Sequence, residues 1–201
     1  MRGMGICEGQ SIRAVTRLTG CSKNTVAKLL VEAGHACAAY QDKALRKLPC
    51  KRVQMDEIWS FVYAKNDNVK AAKAAPATAG DVWTWTAICA DTKLIVSWLL
   101  GSRDMDAALS FVGDLRDRLA NRVQLTSDGH RPYLTAVDAV FGDDVDYAML
   151  VKIYGADPQA ETRYSPAKCI GAEKKPKIGN PDPKHISTSY AERSNLTMRM
   201  V

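Results

Sequence analysis

Four acidic residues sit in surroundings that call for a chemical explanation. In "RVQMDEIWSFVYA", Arg52 to Ala64, Asp56 and Glu57 interrupt a run of Val, Met, Ile, Trp, Phe and Tyr that reads as a strand. A carboxylate buried in such a run costs several kcal/mol unless it is paired, protonated or metal-bound. Neighbouring strand residues point to opposite faces, so at most one of the two faces a given site, and Asp56 is assigned to it with Glu57 on the opposite face. Asp128 lies in "LTSDG", where Gly129 leaves room beside it, and Glu192 lies in "STSYAERSNLTMRM", followed by Leu196 and Met200 at helical spacing. A phosphodiester repels nucleophiles by its own charge. Two divalent cations about 3.5 to 4 Å apart overcome this by generating the nucleophile on one side and stabilising the leaving oxygen on the other. Mg²⁺ or Mn²⁺ needs only a few hard carboxylate oxygens and some water for this work. Asp56, Asp128 and Glu192 are therefore candidate catalytic acids and ligands of a two-metal site. Plainer readings stand beside them: "SDG" makes turns and Ser189-x-x-Glu192 spells a capping box. His130 and His185 fall nearby, but an unpaired loop histidine reads as solvent-exposed, and both stay outside the assigned site.

Bringing these acids together is the task of the surrounding elements. Strand-like runs occupy Val53 to Ala64, Val82 to Ala90 and Leu94 to Leu100, the last two joined by "DTK". "DMDAALSFVGDLRDRLA" places Ala108, Phe111, Leu115 and Leu119 at helical spacing. A strand over Arg122 to Gly129 follows, then a helix begun by Pro132 and ended near Gly142, then "VDYAMLVKIYG". Three strands, helix, strand, helix, strand, with right-handed crossovers, predict an α/β fold: a mixed five-stranded ribonuclease-H-like sheet with helices. That order makes the Asp56 and Asp128 strands neighbours. Gly155 to Lys184, proline-rich and carrying "EKKPKIGNPDPK", has little periodicity and reads as a long surface loop, either touching DNA or merely solvated.

Ahead of this core, "SIRAVTRLTGCSKNTVAKLLVEAG" contains two helical patterns, Ile12/Val15/Leu18 and Val26/Leu29/Leu30/Ala33, separated by "TGCS". Gly20 suits the turn and Ser22 the N-cap of the second helix, which makes a small all-α helix-turn-helix. Such a motif reads the major groove with the start of its second helix, here Lys23, Asn24, Thr25 and Lys28, supported by Arg13 and Arg17 on the first. The bland alternative is a helical hairpin with a solvated polar face. The expected organisation is a helix-turn-helix over 1–40, a connector over 41–51 and a catalytic core over 52–201. At 201 residues, 46% hydrophobic and 25% charged, the chain can build one core plus a small module, and its net charge of +6 draws it to polyanions. The six cysteines form no C-x-x-C pair, which speaks against a zinc knuckle or a redox pair. Neither an 18-residue apolar run nor a signal-peptide core occurs, so the expectation is a cytoplasmic protein with reduced thiols and no membrane partner. "MRGMGICEGQ", with three glycines, leaves no place for the third helix that usually supports a helix-turn-helix, so the N-terminus is expected to be clipped.

Taken together, "SIRAVTRLTGCSKNTVAKLL", "CKRVQMDEIWSFVYAK", "GDVWTWTAICADTKL", "LTSDGHRPYL" and "NPDPKHISTSYAERSNLTMRM" resemble the insertion-sequence-one type of bacterial DDE transposases over nearly the whole chain. The resemblance implies a ribonuclease-H-like core with Asp56, Asp128 and Glu192 as the DDE triad holding Mg²⁺ or Mn²⁺. It also implies a helix-turn-helix that recognises the element's terminal inverted repeats, and a homo-oligomer assembled on double-stranded DNA. The implied reaction is hydrolytic nicking that frees a 3′-hydroxyl, then attack of that hydroxyl on target DNA. In the family the triad glutamate opens a longer basic helix, whereas this sequence stops nine residues after Glu192 (201 − 192 = 9). A truncated copy or one product of a split reading frame is therefore expected. Two alternatives accompany this reading. One is a non-catalytic terminal-repeat binder that represses transposition; the other is a metal nuclease of the same fold acting on junctions or RNA strands, which the N-terminal motif disfavours.

Overall fold

The computed structural model describes residues 9–155 and 168–200. The chain divides into two units, Met1–Arg46 with Arg193–Val201, and Lys47–Glu192. In the first, helix α1 (Ile12–Thr19) starts where the Ser11 hydroxyl accepts from Ala14 N and stops at Gly20, whose left-handed φ of 69° a side chain would resist. Helix α2 (Lys23–Ala44) starts where the Ser22 hydroxyl accepts from Thr25 N at 3.1 Å. The two helices meet through Val15 and Val26, which are buried, whereas Leu18 and Leu29 of the anticipated apolar stripes are exposed.

The second unit carries the sheet. Strands β1 (Arg52–Val62), β2 (Gly80–Cys89) and β3 (Ile95–Gly101) form an antiparallel meander. Helix α3 (Met105–Arg118), capped by the Asp104 side chain on Ala107 N, leads to the short strand β4 (Gln124–Ser127). Helix α4 (Arg131–Phe141) then leads to β5 (Asp146–Gly155). Both β4 and β5 run parallel to β1, as two crossovers require. On one face of the sheet Val53, Met55, Trp85, Ala87, Leu125 and Tyr147 pack against Phe111, Val112 and Leu115 of α3 and Tyr133, Ala136 and Val137 of α4. The mixed α/β, ribonuclease-H-like architecture read from element order is thus present, with one correction. The sheet has six strands in the order β3-β2-β1-β4-β5-β6, the last being Lys168–Ile178 paired antiparallel to β5. This strand falls where a surface loop was expected. It is an edge strand, with three lysines and Pro176 among its last five residues and two register shifts against β5. Those are features that keep an edge from templating further pairing, and they erase the apolar alternation that betrays a strand. The rest of the anticipated loop, 156–167, lies outside the described residues. Among the described residues no helix is long and apolar enough to cross a membrane.

Helix α5 (Ser189–Met200) closes the described chain and carries Glu192. Its start is held by a side chain from the sheet: Gln54 Oε1 accepts from Tyr190 N at 2.8 Å and Ala191 N at 3.2 Å. Gln54 is buried and does the work an N-cap residue would do from its own helix. The expected capping box does not form as spelled. Glu192 N donates to Thr188 O, so the first turn opens at Thr188 and Glu192 sits one position too far along to reach back as a box partner. Leucine at position 54 would leave the buried Ala191 N–H unmatched, at about 1–3 kcal/mol, and the part-buried Tyr190 N–H at less. Gln54→Leu should therefore lower unfolding stability by about 2–4 kcal/mol in urea titrations, with Tyr190 and Ala191 amide exchange speeding up locally, whereas Gln54→Glu, which keeps the acceptor, should cost less than half of that.

Candidate functional site

Strand register brings Asp56 and Asp128 together. The last parallel pair of β1 and β4 is Gln54 with Thr126; two residues on along each strand lie Asp56 and Asp128. β4 ends at Ser127, so Asp128 leaves the sheet while Asp56 remains in β1. Asp128 Oδ1 accepts from His130 N at 2.9 Å, closing a tight turn into α4. A Cβ at Gly129 would stand at ordinary contact distance from the Val151 side chain, and the backbone there is not left-handed, so neither space nor conformation demands glycine at this position.

Glu57 does sit on the opposite face of β1 from Asp56, but this does not keep its carboxylate out of the site. Its backbone does alternate as expected: Glu57 shares a face with Met55 and its register partner is the core residue Trp85. Yet one oxygen from each of Asp56, Glu57 and Asp128 lies within 4.8 Å of the others. The two side chains leave β1 on opposite faces, yet an open edge lets their carboxylates reach the same third residue. Past Ser127 the β4 edge of β1 is open, and side chains from both faces converge around it. Glu57 Oε2 accepts from Arg103 Nε at 3.2 Å and Nη2 at 3.1 Å, and the same guanidinium is 3.8 Å from Asp128 Oδ2. The Glu57 side chain is 1% exposed, and its Oε1 has no hydrogen-bond partner. Burial, reinforced by the Asp128 charge, pushes the Glu57 carboxyl up to about 7.

Beneath the acids the Trp85, His130 and Tyr133 rings pack at 5.4–5.8 Å. His130, expected in solvent, is half-buried there, with Nε2 unpartnered, and burial followed by the Arg103 charge holds its imidazole below the usual range. The Tyr133 hydroxyl is likewise buried, with the Glu57 carboxyl as its polar neighbour. His185 is exposed against Arg52, outside the site. The signals for Glu57, Gln54 and His130 were faint: polar residues in or beside apolar runs, with nothing local to say what they meet.

Asp56, Asp128 and Glu192 line one cavity of about 690 Å³, together with Arg103, His130, Arg131 and Lys152. Glu192, however, is engaged within the protein. Its Oε2 accepts from Lys152 Nζ at 2.7 Å and its Oε1 from the Thr188 hydroxyl. Burial works against the charge of both partners of this ion pair and is the largest single influence, but the mutual hydrogen bond and attraction, with the Thr188 hydroxyl on Glu192, together exceed it, lowering Glu192 and raising Lys152. The donor set fits a hard divalent cation. An octahedral ion about 2.0–2.1 Å from each oxygen places those oxygens about 3–4 Å apart, within small side-chain movements of what Asp56, Glu57 and Asp128 offer. A bound cation would answer both the unpartnered buried carboxylate oxygen and the carboxyl displaced upward by burial and then by the Asp128 charge.

In the helix-turn-helix, Arg13 and Arg17 of α1 and Lys23, Asn24, Thr25 and Lys28 of α2 are all exposed. Thr25 also pairs its hydroxyl with Ser22 at 2.9 Å, and Lys28 lies 3.7 Å from Glu32.

No family model matches this chain, and no curated protein matches it. Among solved structures, the cryo-EM structure of a piggyBac transposase synaptic complex with hairpin DNA is similar at 11% identity and a TM-score of 0.34, over 59% of this chain and 27% of that one. The chain thus spans about a quarter of that protein's length.

The displaced Glu57 carboxyl makes stability depend on pH. The folded protein keeps this proton up to about 7 while an unfolded glutamate releases it near 4.5. The group's contribution is therefore complete below 4.5 and is lost as pH rises through 7. Glu57→Gln should gain up to about 3 kcal/mol on the wild type between about pH 5 and pH 8 in the presence of chelator, at 1.36 kcal/mol per pH unit of displacement. Urea denaturation at the two pH values measures it, and added Mn²⁺ at the higher pH should raise the wild-type midpoint more than the variant's.

Proposed function

We infer that this chain acts as a DDE-type DNA transposase, nicking DNA at terminal inverted repeats and transferring the freed 3′-hydroxyl to target DNA. One observation carries the reading: Asp56 within β1 and Asp128 just past the end of the adjacent parallel strand β4 stand side by side, in a cavity that Glu192 also lines. In this reading Asp56 and Asp128 hold the cation with Glu57 beside them, and Glu192 completes the triad. Mg²⁺ or Mn²⁺ bound there supplies an activated water or hydroxyl and a counter-charge for the leaving oxygen. Arg103, Arg131 and Lys152, which line the same cavity, are placed to hold the phosphates flanking the scissile bond. Arg13, Arg17, Lys23, Asn24, Thr25 and Lys28 read the terminal repeat in the major groove. Two DNA ends handled in one reaction call for a homo-oligomer on double-stranded DNA.

A second reading has its own support. Glu192 has both oxygens engaged, on Lys152 and Thr188, which favours a chain that occupies terminal repeats without cutting them and so represses transposition.

Nicking of a labelled terminal-repeat duplex separates the two. Asp56→Asn and Asp128→Asn should each lower Mn²⁺-dependent nicking by roughly 10³-fold, the several kcal/mol expected of a lost metal site, with gel-shift affinity for the repeat unchanged. Nicking that survives Asp56→Asn would remove that residue from the mechanism. Repeat-specific binding by the wild type without cleavage in either metal would establish the second reading. Lys23→Ala should weaken binding and reduce its salt dependence by about one phosphate contact.

A further inference from the structure

Beyond the acids, β1 runs on to Val62 with its β4 side open, and with β2 it forms a ribbon that β3 flanks only as far as Gly101, opposite Trp83. On the face that carries Glu57, the next residues outward are Trp59 and Phe61, whose ring centroids lie 5.7 Å apart. Trp83 of β2 stands directly across from Trp59 in the antiparallel register. These rings leave the core as they go: Trp59 and Trp83 are half-buried, and Phe61 is 47% exposed. Each tryptophan carries a cation, Lys65 Nζ at 5.0 Å from the Trp59 ring centre and Arg103 Cζ at 4.6 Å from that of Trp83. Arg103 is the residue already bonded to Glu57, so the rings and the acid cluster share a side chain. The nearby Asp81 carboxylate accepts from Asn66 N and is engaged in closing the loop between the strands.

We propose that this ribbon is a binding platform for an unpaired stretch of DNA strand adjoining the acid cavity, with bases stacked on Trp59, Phe61 and Trp83 and phosphates held by Lys65 and Arg103. The proposal rests on the transposase reading for the reaction served, but the platform is argued from its own residues. Exposed rings with cations laid over them match a ligand that offers π-faces and negative charge together, which is single-stranded nucleic acid. A duplex hides its base faces in the stack and presents only edges. From Glu57 to Phe61 the strand advances about 13 Å at 3.3 Å per residue, the length of a few stacked bases at about 3.4 Å each. A strand seated there would enter the cavity beside Asp56 and Asp128 with its bases already unstacked.

The test uses the full chain with chelator present, so that no cleavage contributes, and reads the fluorescence anisotropy of a labelled dodecamer of deoxythymidine and of a terminal-repeat duplex. Phe61→Leu, which keeps apolar bulk but removes the ring, and Trp59→Ala should each weaken single-strand binding roughly tenfold or more, while Trp59→Tyr should recover most of it. Duplex binding should stay unchanged in all three, and a retained cooperative urea transition reports that the sheet of each variant is folded. Quenching of tryptophan emission by the single strand is expected in the wild type and should be smaller in Trp59→Ala. The proposal is overturned if the wild type does not bind the single strand, or if Phe61→Leu and Trp59→Ala bind it as the wild type does. Nicking that depends on Asp56 together with unaltered single-strand binding in these variants would leave the transposase reading standing and remove the platform. Lost stacking in a chain that never nicks would do the reverse.

Discussion

β4 pairs with β1 over only three positions, Arg52 with Gln124 to Gln54 with Thr126, and the site is what forms where that pairing stops. A longer β4 would have continued the ladder past Asp56 and covered the edge of β1 at which the Asp56 and Glu57 carboxylates come together. Ending at Ser127 instead, it releases Asp128 beside Asp56 and opens the edge, so that three carboxylates gather within 4.8 Å. The same early stop leaves β1 and β2 to run on as a ribbon carrying Trp59, Phe61 and Trp83, and leaves the cavity between the strand ends and Glu192 open.

Like charges at that spacing cannot all be ionised in a partly buried site without compensation. The protein supplies part of it. Arg103 bridges Glu57 and Asp128, and Glu57, the most buried of the three, yields by holding its proton up to about 7. Lys152 and Thr188 satisfy Glu192 separately. The cavity thus holds two internal counter-ions, one among the clustered acids and one on the fourth, and the clustered set retains an unpartnered oxygen. An external divalent cation would compete with Arg103 for the first group, while admitting Glu192 to the same ion would require Lys152 to give it up. A phosphate is a ready alternative partner for that lysine.

The residue 54 side chain connects these parts. Gln54 lies two residues before Asp56 on the same face of β1 and caps the helix that carries Glu192. Position of the third acid is therefore tied to the strand of the first, through hydrogen bonds whose loss would leave a buried donor unmatched.

Much of the architecture was legible because local rules decide it. Ser11, Ser22, Gly20 and Asp104 start or stop helices through bonds to their own neighbours, and the apolar spacing of α3 and α4 follows from one sheet face needing cover. The sequence by itself also determined that Asp56 was anomalous, since an acid in an apolar strand must be answered by something. What answered it was decided only in the folded chain. Glu57 joined the acids because a neighbouring strand 70 residues away ended early. Lys152 reached Glu192 across 40 residues and Gln54 reached Tyr190 across 136, through partnerships that no local spacing encodes. The edge strand β6 escaped notice for the converse reason: its lysines, proline and bulges answer to solvent and to β5, not to a buried face. Side-chain alternation is a property of a single strand, whereas the place where its neighbour stops is a property of the sheet, and the chemistry sits at that stop.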